Sequence, residues 1–412
     1  VKLFFATGEA SGELVAAELL DAIRSRIGVD AEGIGDARLE RAGVRLVART
    51  RGWASMGPID ALRRIPRLWT VMMRTALRLR RDPPDAVVLV DFGAFNLRLA
   101  RTLRGLGFVQ PIVYYAPPAA WLDNAKKARS VAARCDALTL FRHQAEFYRS
   151  LRLPIGYVGH PLVSTIAPRP PRPAPPGDSG DLALLPGSRA GEIERHAPLL
   201  LDAFARVRER RPAIRGTLVA ADDDARRHLE HLLAMRSPLP IAIAQDARAT
   251  LREADAAAIA SGTAVLESAL VGTPAVALYI LSETQAKIAR RVYHGQYITL
   301  PNLVLDEPLV PELIQEAATP VALADELLAL LDDPARQLDG YARMRTALGP
   351  PDALQRNADW VLSVIAESNA AVAHELERRS APGSAPPTPT ARGPQEDSAL
   401  TISPDQDSPR AR

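Results

Sequence analysis

Two glycine corners and one aspartate carry most of the chemistry legible in this chain. Leu184-Leu185-Pro186 closes an apolar run, and Gly187-Ser188-Arg189 follows with a tight turn, a hydroxyl and a fixed cation ahead of an expected helix. Backbone N–H groups at a helix N-terminus and a guanidinium fork both suit phosphate oxygens. Ser261-Gly262-Thr263 repeats the arrangement after the run 256–260, and Glu267 stands one helical turn further on. A carboxylate there can accept the two hydroxyls of a ribose; the alternative is a helix cap followed by a surface glutamate. Two such corners in one α/β unit point to a nucleotide-bearing substrate, where either alone is weak.

The first half offers a different group. Val87-Val88-Leu89-Val90 reads as a buried parallel strand that delivers Asp91 at its C-terminal end, with Phe92, Phe95 and Asn96 just after it. Ligands of open α/β sheets gather outside such strand ends. Asp91 is therefore either a base for an acceptor hydroxyl or a cap for the next helix. The opening strand, Lys2 to Ala6, runs into Thr7-Gly8-Glu9-Ala10-Ser11-Gly12-Glu13. Gly8 and Gly12 permit a sharp passage into a helix, but their spacing is not the dinucleotide fingerprint. His160 and Asn302 are open in the same way, each a substrate contact or a closed local hydrogen bond. Asn302 is expected in a polar turn after a short strand beginning near Gln296.

The elements that must position these residues are well punctuated. At 412 residues and 47% apolar content, the chain has room for two cored domains. Residues 1–165 form the first, 166–180 a connector with six prolines between Pro168 and Pro176, and 181–345 a second α/β unit. A helix within 346–370 carries Leu354, Trp360, Val361, Val364 and Ile365 on one side, set to pack toward the domain junction. Residues 371–412 are expected to be a disordered tail. The net charge of +3 gives no reason to expect nucleic acid, and the single cysteine, Cys135, excludes an internal disulfide framework. No apolar run is long enough to cross a bilayer and no signal peptide is seen, so the expected compartment is the cytoplasm. Residues 59–81 hold seven arginines and one acidic residue among Leu68, Trp69, Met72, Met73 and Leu77. Pro66 is expected to interrupt this stretch and leave a shorter amphipathic helix. That helix either lies on an anionic membrane surface or packs on the sheet with a solvated arginine face. Asp222-Asp223-Asp224 reads as a solvent-facing helix cap rather than a metal site.

Taken in order, these segments resemble the lipid-A-disaccharide synthases, bacterial glycosyltransferases with two facing Rossmann-like α/β domains of the glycosyltransferase-B type. The resemblance runs from Val1 to about Ile365. Gly8-Glu9-Ala10-Ser11-Gly12 fits the family's GExSGD opening, with Glu13 in place of the final aspartate, and Ser55-Met56-Gly57 is similar to its VMG segment. Asp91, Phe95 and Asn96, then Gly159-His160-Pro161, 184–189, 261–267 and 297–302 extend the match. The resemblance implies transfer of diacylglucosamine from a UDP-linked donor to diacylglucosamine 1-phosphate. It makes Asp91 the base for the acceptor's 6-hydroxyl and Arg189 the cation on the departing UDP. Ser261, Thr263 and Glu267 would hold the nucleotide, and Asn302 would lie near the donor. Glu9, Ser11, Gly12, Asn96, His160, Gly187, Ser188 and Gly262 complete the candidate substrate-contacting set. No cofactor or bound metal is implied. Departures fall in the first domain: Gly35-Asp36-Ala37-Arg38-Leu39 lacks GGPRM, and 116–122 lacks SPSxWAW. Gln144 stands where the family has glutamate, and Ala94 replaces an aspartate. They leave open a related transferase with another acceptor, or a protein that binds the nucleotide sugar without transferring it.

Overall fold

Two parallel sheets, each built around a reversal of strand order, organise the chain in a computed structural model. It describes residues 1–8, 10–50, 53, 58–117, 124–170, 172–173, 175–236, 238–293 and 295–380. The first sheet contains β1 (Lys2–Ala6), β2 (Asp30–Gly35), β3 (Arg45–Arg49), β4 (Ala86–Val90), β5 (Ile112–Tyr115), β6 (Asp136–Thr139) and β7 (Gly156–Tyr157). The second contains β8 (Ser179–Leu185), β9 (Ala213–Val219), β10 (Ile241–Ala244), β11 (Ala256–Ala260), β12 (Ala275–Tyr279) and β13 (Glu312–Ile314). Their orders are β3-β2-β1-β4-β5-β6-β7 and β10-β9-β8-β11-β12-β13. Order therefore reverses between β1 and β4, paired Leu3 to Ala86, and again between β8 and β11, paired Leu182 to Ala256. Crevices open at the carboxyl ends of strands at such points. Gly8 and Asp91 follow the first pair; Gly187 to Arg189 and Ser261 to Thr263 follow the second.

Helices cover both faces of both sheets, and β4 and β11 are apolar throughout, as burial on two sides requires. The helix Ala353–Ser368 returns from the second domain and buries Leu354, Ala358, Val361, Leu362 and Ile365 in one cluster with Leu19, Leu20 and Ile23 of the helix Ala10–Arg24. Each leucine, valine or isoleucine among them contributes roughly 1.5–3 kcal/mol of burial. The crossing is tied by His160 N–H to the Leu348 carbonyl (2.8 Å) and by the Asn357 amide to the Gly159 carbonyl (3.1 Å).

Three local expectations are corrected. The helix Pro58–Arg81 runs through Pro66 without a break. Pro66 is exposed, so the backbone bond it cannot make is lost on the solvent side rather than against the sheet. The expected strand near Gln296 is absent; a helix Leu300–Leu305 starts there instead, helped by Pro301 in its first turn. Residues 371–380 are not a disordered tail, because Ala370–Ser380 is helical and Val372 joins the first domain's core. Residues 381–412 lie outside the described residues.

Candidate active site

On the first-domain side, the site is built on strain that the surroundings hold in place. Asp91 and Phe92 both adopt the left-handed region, with φ of 47° and 46°. Each such non-glycine residue costs about 1–2 kcal/mol. The buried Asn96 side chain opposes this cost by donating to the carbonyls of Ala6 (3.1 Å), Val90 (3.1 Å) and Asp91 (2.9 Å). The Tyr114 hydroxyl also donates to the Asp91 carbonyl, at 2.9 Å. Below the turn, Trp53, Phe92 and Phe95 form an aromatic cluster with centroids 5.3–6.0 Å apart. Gly8 passes so close that a Cβ there would stand 2.1 Å from the Phe92 ring. The result is a half-buried Asp91 beside Gly12, whose ideal Cβ would lie 3.7 Å from that of Asp91. Ser11 and Gly12 sit in the first turn of the helix Ala10–Arg24. Glu9, the segment 55–57 and Trp121 lie outside the described residues.

The second-domain side consists of two helix N-termini. Gly187 has φ of 108°, and Arg189 precedes the helix Ala190–Arg210. The donors of this turn converge on one anion, the chain's own Glu192. Its carboxylate accepts from the backbone N–H of Ser188 (3.1 Å) and Arg189 (3.3 Å), and from the Arg189 guanidinium (2.9 Å). That shows the turn can gather an oxyanion. Next to it, Ser261 and Gly262 lead into the helix Thr263–Val271, whose N-cap residue, Gly262, has no side chain to cap it. Glu267 is buried rather than a surface residue, and meets Arg248 at 3.3 Å. Arg248 also meets Glu18 of the helix Ala10–Arg24 at 3.4 Å, so one guanidinium joins the domains beside the cleft. Burial pushes the Glu18 carboxyl above its ordinary range.

Two candidates are committed to the scaffold. Asn302 is buried, with its amide donating to the Val310 carbonyl and the Glu312 carboxylate and accepting from the N–H groups of Leu309 and Val310. Glu312 in turn accepts from the N–H groups of Ile298 and Thr299. Asn302 thus shapes the 297–302 loop from within, and its amide has no hydrogen-bonding capacity left for a substrate in this conformation. His160 is buried against Phe141, and its Nδ1 accepts from the Leu162 N–H (3.2 Å). Burial lowers its pKa to about 3, so the ring is neutral at physiological pH.

Other groups settle sequence ambiguities. Asp222 caps the helix Asp223–Ala234, Asp223 accepts from Gln245, and Asp224 pairs with Arg227, so the three acids turn to separate partners. Cys135 is buried and its thiol is pushed up to about 12, which makes it unreactive core. Glu13, the departure from the family's aspartate, reaches the backbone of Asp36, Arg38 and Leu39 at the start of a short helix. Gln144 binds Thr139 and the Pro117 carbonyl, tying the ends of β5 and β6 together. Sequence reading missed Glu18, Arg248 and Glu312, whose partners lie far away or in an unexpected element. Glu192 carried a findable signal, an acid three residues beyond a helix-start residue.

The family model described as lipid-A-disaccharide synthetase matches residues 3–358. Lipid-A-disaccharide synthase of Pseudomonas aeruginosa (strain LESB58) is 35% identical over 374 residues, which is 89% of this chain and 98% of that protein. The protein of the same description from Myxococcus xanthus (strain DK1622) is 34% identical over 376 residues, 88% of this chain and 97% of its own. Among solved structures, a putative UDP-N-acetylglucosamine 2-epimerase from Listeria monocytogenes superposes with a TM-score of 0.61 at 12% identity, covering 90% of this chain and 97% of that one. The glycotransferase of kitacinnamycin gives 0.55 at 16% identity, covering 88% and 98%. At these identities the solved structures bear on the fold alone, two facing Rossmann-like domains of the glycosyltransferase-B type.

Proposed function

The chain belongs to the lipid-A-disaccharide synthase family and is a glycosyltransferase, and from that premise we propose that it transfers diacylglucosamine from a UDP-linked donor to diacylglucosamine 1-phosphate, releasing UDP. The observation that carries this reading is the placement of unlike chemistries at the two switch points. A carboxylate follows β4, an anion-gathering turn follows β8, a second glycine turn at a helix N-terminus follows β11, and Arg248 joins the domains between them.

In this reading Asp91 takes the proton of the acceptor's 6-hydroxyl as its oxygen attacks C1 of the donor sugar. The bond from C1 to the diphosphate oxygen breaks, and its electron pair leaves with UDP. Arg189 and the turn's N–H groups then meet charge where it grows, with the Glu192 carboxylate displaced by phosphate. Glu267 exchanges its Arg248 contact for the ribose hydroxyls. Phosphate charge is met by these groups, so no metal is needed.

The helix Pro58–Arg81 supplies the membrane partner. Met72, Thr75, Ala76 and Leu79 are buried on its sheet side, and Glu32 anchors it through Arg78. Trp69 and Leu77 are exposed on its outer side, with the half-buried Met73 between them, beside a basic stripe of Arg67, Arg74 and Arg81. Such a helix suits an anionic bilayer surface. Among the described residues no helix is long and apolar enough to cross a membrane, and we place the protein on the cytoplasmic face of the inner membrane.

UDP release that requires both lipid substrates tests this reading. Asp91→Asn should lower turnover by about 10²–10⁴-fold and leave donor affinity near that of the parent. Unchanged turnover would remove Asp91 from the base role.

A further inference from the structure

The donor-side turns must hold their N–H groups in fixed directions before phosphate arrives, because preorganisation is what makes such donors effective. One buried side chain is placed to do this. His196 sits two turns into the helix Ala190–Arg210 and is fully buried. Its Nε2 accepts from the Ile280 N–H at 2.9 Å, and its Nδ1 lies 2.9 Å from the Pro186 carbonyl. A ring nitrogen that accepts from an N–H must carry a lone pair. The neutral ring therefore holds its proton on Nδ1 and donates it to Pro186.

Pro186 follows β8 and opens the Gly187-Ser188-Arg189 turn, while Ile280 follows β12. In the sheet, β11 lies between those two strands, and Ser261 to Thr263 follow β11. The imidazole thus links the strand ends on either side of the second turn while gripping the first. Arg195, one residue earlier, donates to the Ile280 carbonyl at 2.8 Å, so one helix holds both polar groups of that residue.

We propose that His196 is a positioning residue for donor transfer, a one-tautomer brace that fixes the Pro186–Arg189 turn and the end of β12 around the Ser261–Thr263 turn. This rests on the reading of those turns as the donor diphosphate site. Protonation would put a hydrogen on Nε2 against the Ile280 N–H and break the brace. The charged groups around the ring are Glu192 and Arg195 on its own helix, and Tyr279 packs against it from β12 at 5.7 Å. Burial holds its pKa below the ordinary imidazole value, so the brace stays closed at neutral pH and opens in acid.

The test uses His196→Leu, which removes both bonds, His196→Gln, which can still accept from Ile280, and His196→Asn, which can still donate to Pro186. Amide hydrogen exchange is read over 186–189 and at Ile280, UDP affinity by calorimetry, and donor and acceptor kinetics against pH. For His196→Leu we expect faster exchange confined to those segments, about tenfold weaker UDP binding, and about tenfold lower kcat/KM for the donor. The acceptor KM should hold, the acid limb of the parent's donor kcat/KM should flatten, and Gln and Asn should each recover part of the loss. Parent-like exchange and UDP affinity in His196→Leu overturn the proposal. So does exchange that rises evenly over the whole second domain. If His196→Leu does not fold, parent-like values in both His196→Gln and His196→Asn overturn it instead. A parent protein that binds no UDP defeats the donor reading, while its exchange pattern still decides the brace.

Discussion

Removing the Asn302 amide should cost the protein its stability before its chemistry. Four hydrogen bonds of 2.8–3.0 Å converge on that side chain, and the residue is 1% exposed, so water cannot replace them. At a net value of roughly 0.5–1.5 kcal/mol each, with partial relaxation, Asn302→Ala should lose about 2–4 kcal/mol. For a unit of this size that lowers Tm by roughly 5–15 °C. Asn302→Asp keeps the acceptor for Leu309 and Val310 but turns the donor into an oxygen facing the Glu312 carboxylate, 2.9 Å away. Two carboxylates at that distance cannot both ionise, so this variant should be less stable than Asn302→Ala at neutral pH and recover below about pH 5. Thermal melts followed by circular dichroism, with turnover per folded enzyme at low temperature, separate the two roles. A Tm within about 1 °C of the parent together with abolished donor binding would refute the reasoning. It would make the amide a substrate contact.

Further outcomes follow from the same geometry. Replacing Trp69 and Leu77 by serine should weaken binding to anionic vesicles by at least about tenfold, given roughly 1.5–3 kcal/mol per buried side chain. Serine at the equally apolar, exposed Val109 should change nothing, and equal losses at all three sites would contradict a specific membrane face. Gly8→Ala should cost about 1–3 kcal/mol by driving the Phe92 ring from its place, with turnover falling more than stability. A parent-like melt and rate would show that Phe92 is free to move. Because burial holds His160 near 3, an unfolded chain binds its proton below about pH 6.5 while the folded one does not. Its stabilising effect is complete above that pH and is lost as pH falls toward 3. Urea midpoints across that window should therefore fall more steeply in the parent than in His160→Asn.

Much of the scaffold was legible because apolar strands and their closing turns are local. The run Ala256 to Ala260 and the turn after it needed no partner to be seen. The strand β2 was not legible, because its sequence, DAEGIG, carries two acids and two glycines. Its reasons are tertiary: a Cβ at Gly33 would stand 2.4 Å from the Phe5 carbonyl oxygen, and Glu32 holds Arg45 and Arg78. At the site, Asp91 and both turns could be named from strand ends. The commitments of Asn302 and His160 could not, since Glu312 belongs to a three-residue strand and Phe141 stands at the start of a separate helix. Nor could the Arg248 bridge, which spans 230 residues to Glu18.

The most direct measurement is mass spectrometry of the products formed by purified protein supplied with UDP-diacylglucosamine and diacylglucosamine 1-phosphate. The account predicts a tetraacylated disaccharide 1-phosphate in one-to-one yield with UDP, lost with Asp91→Asn. Protein that is folded and binds the donor, yet forms no disaccharide, would contradict it.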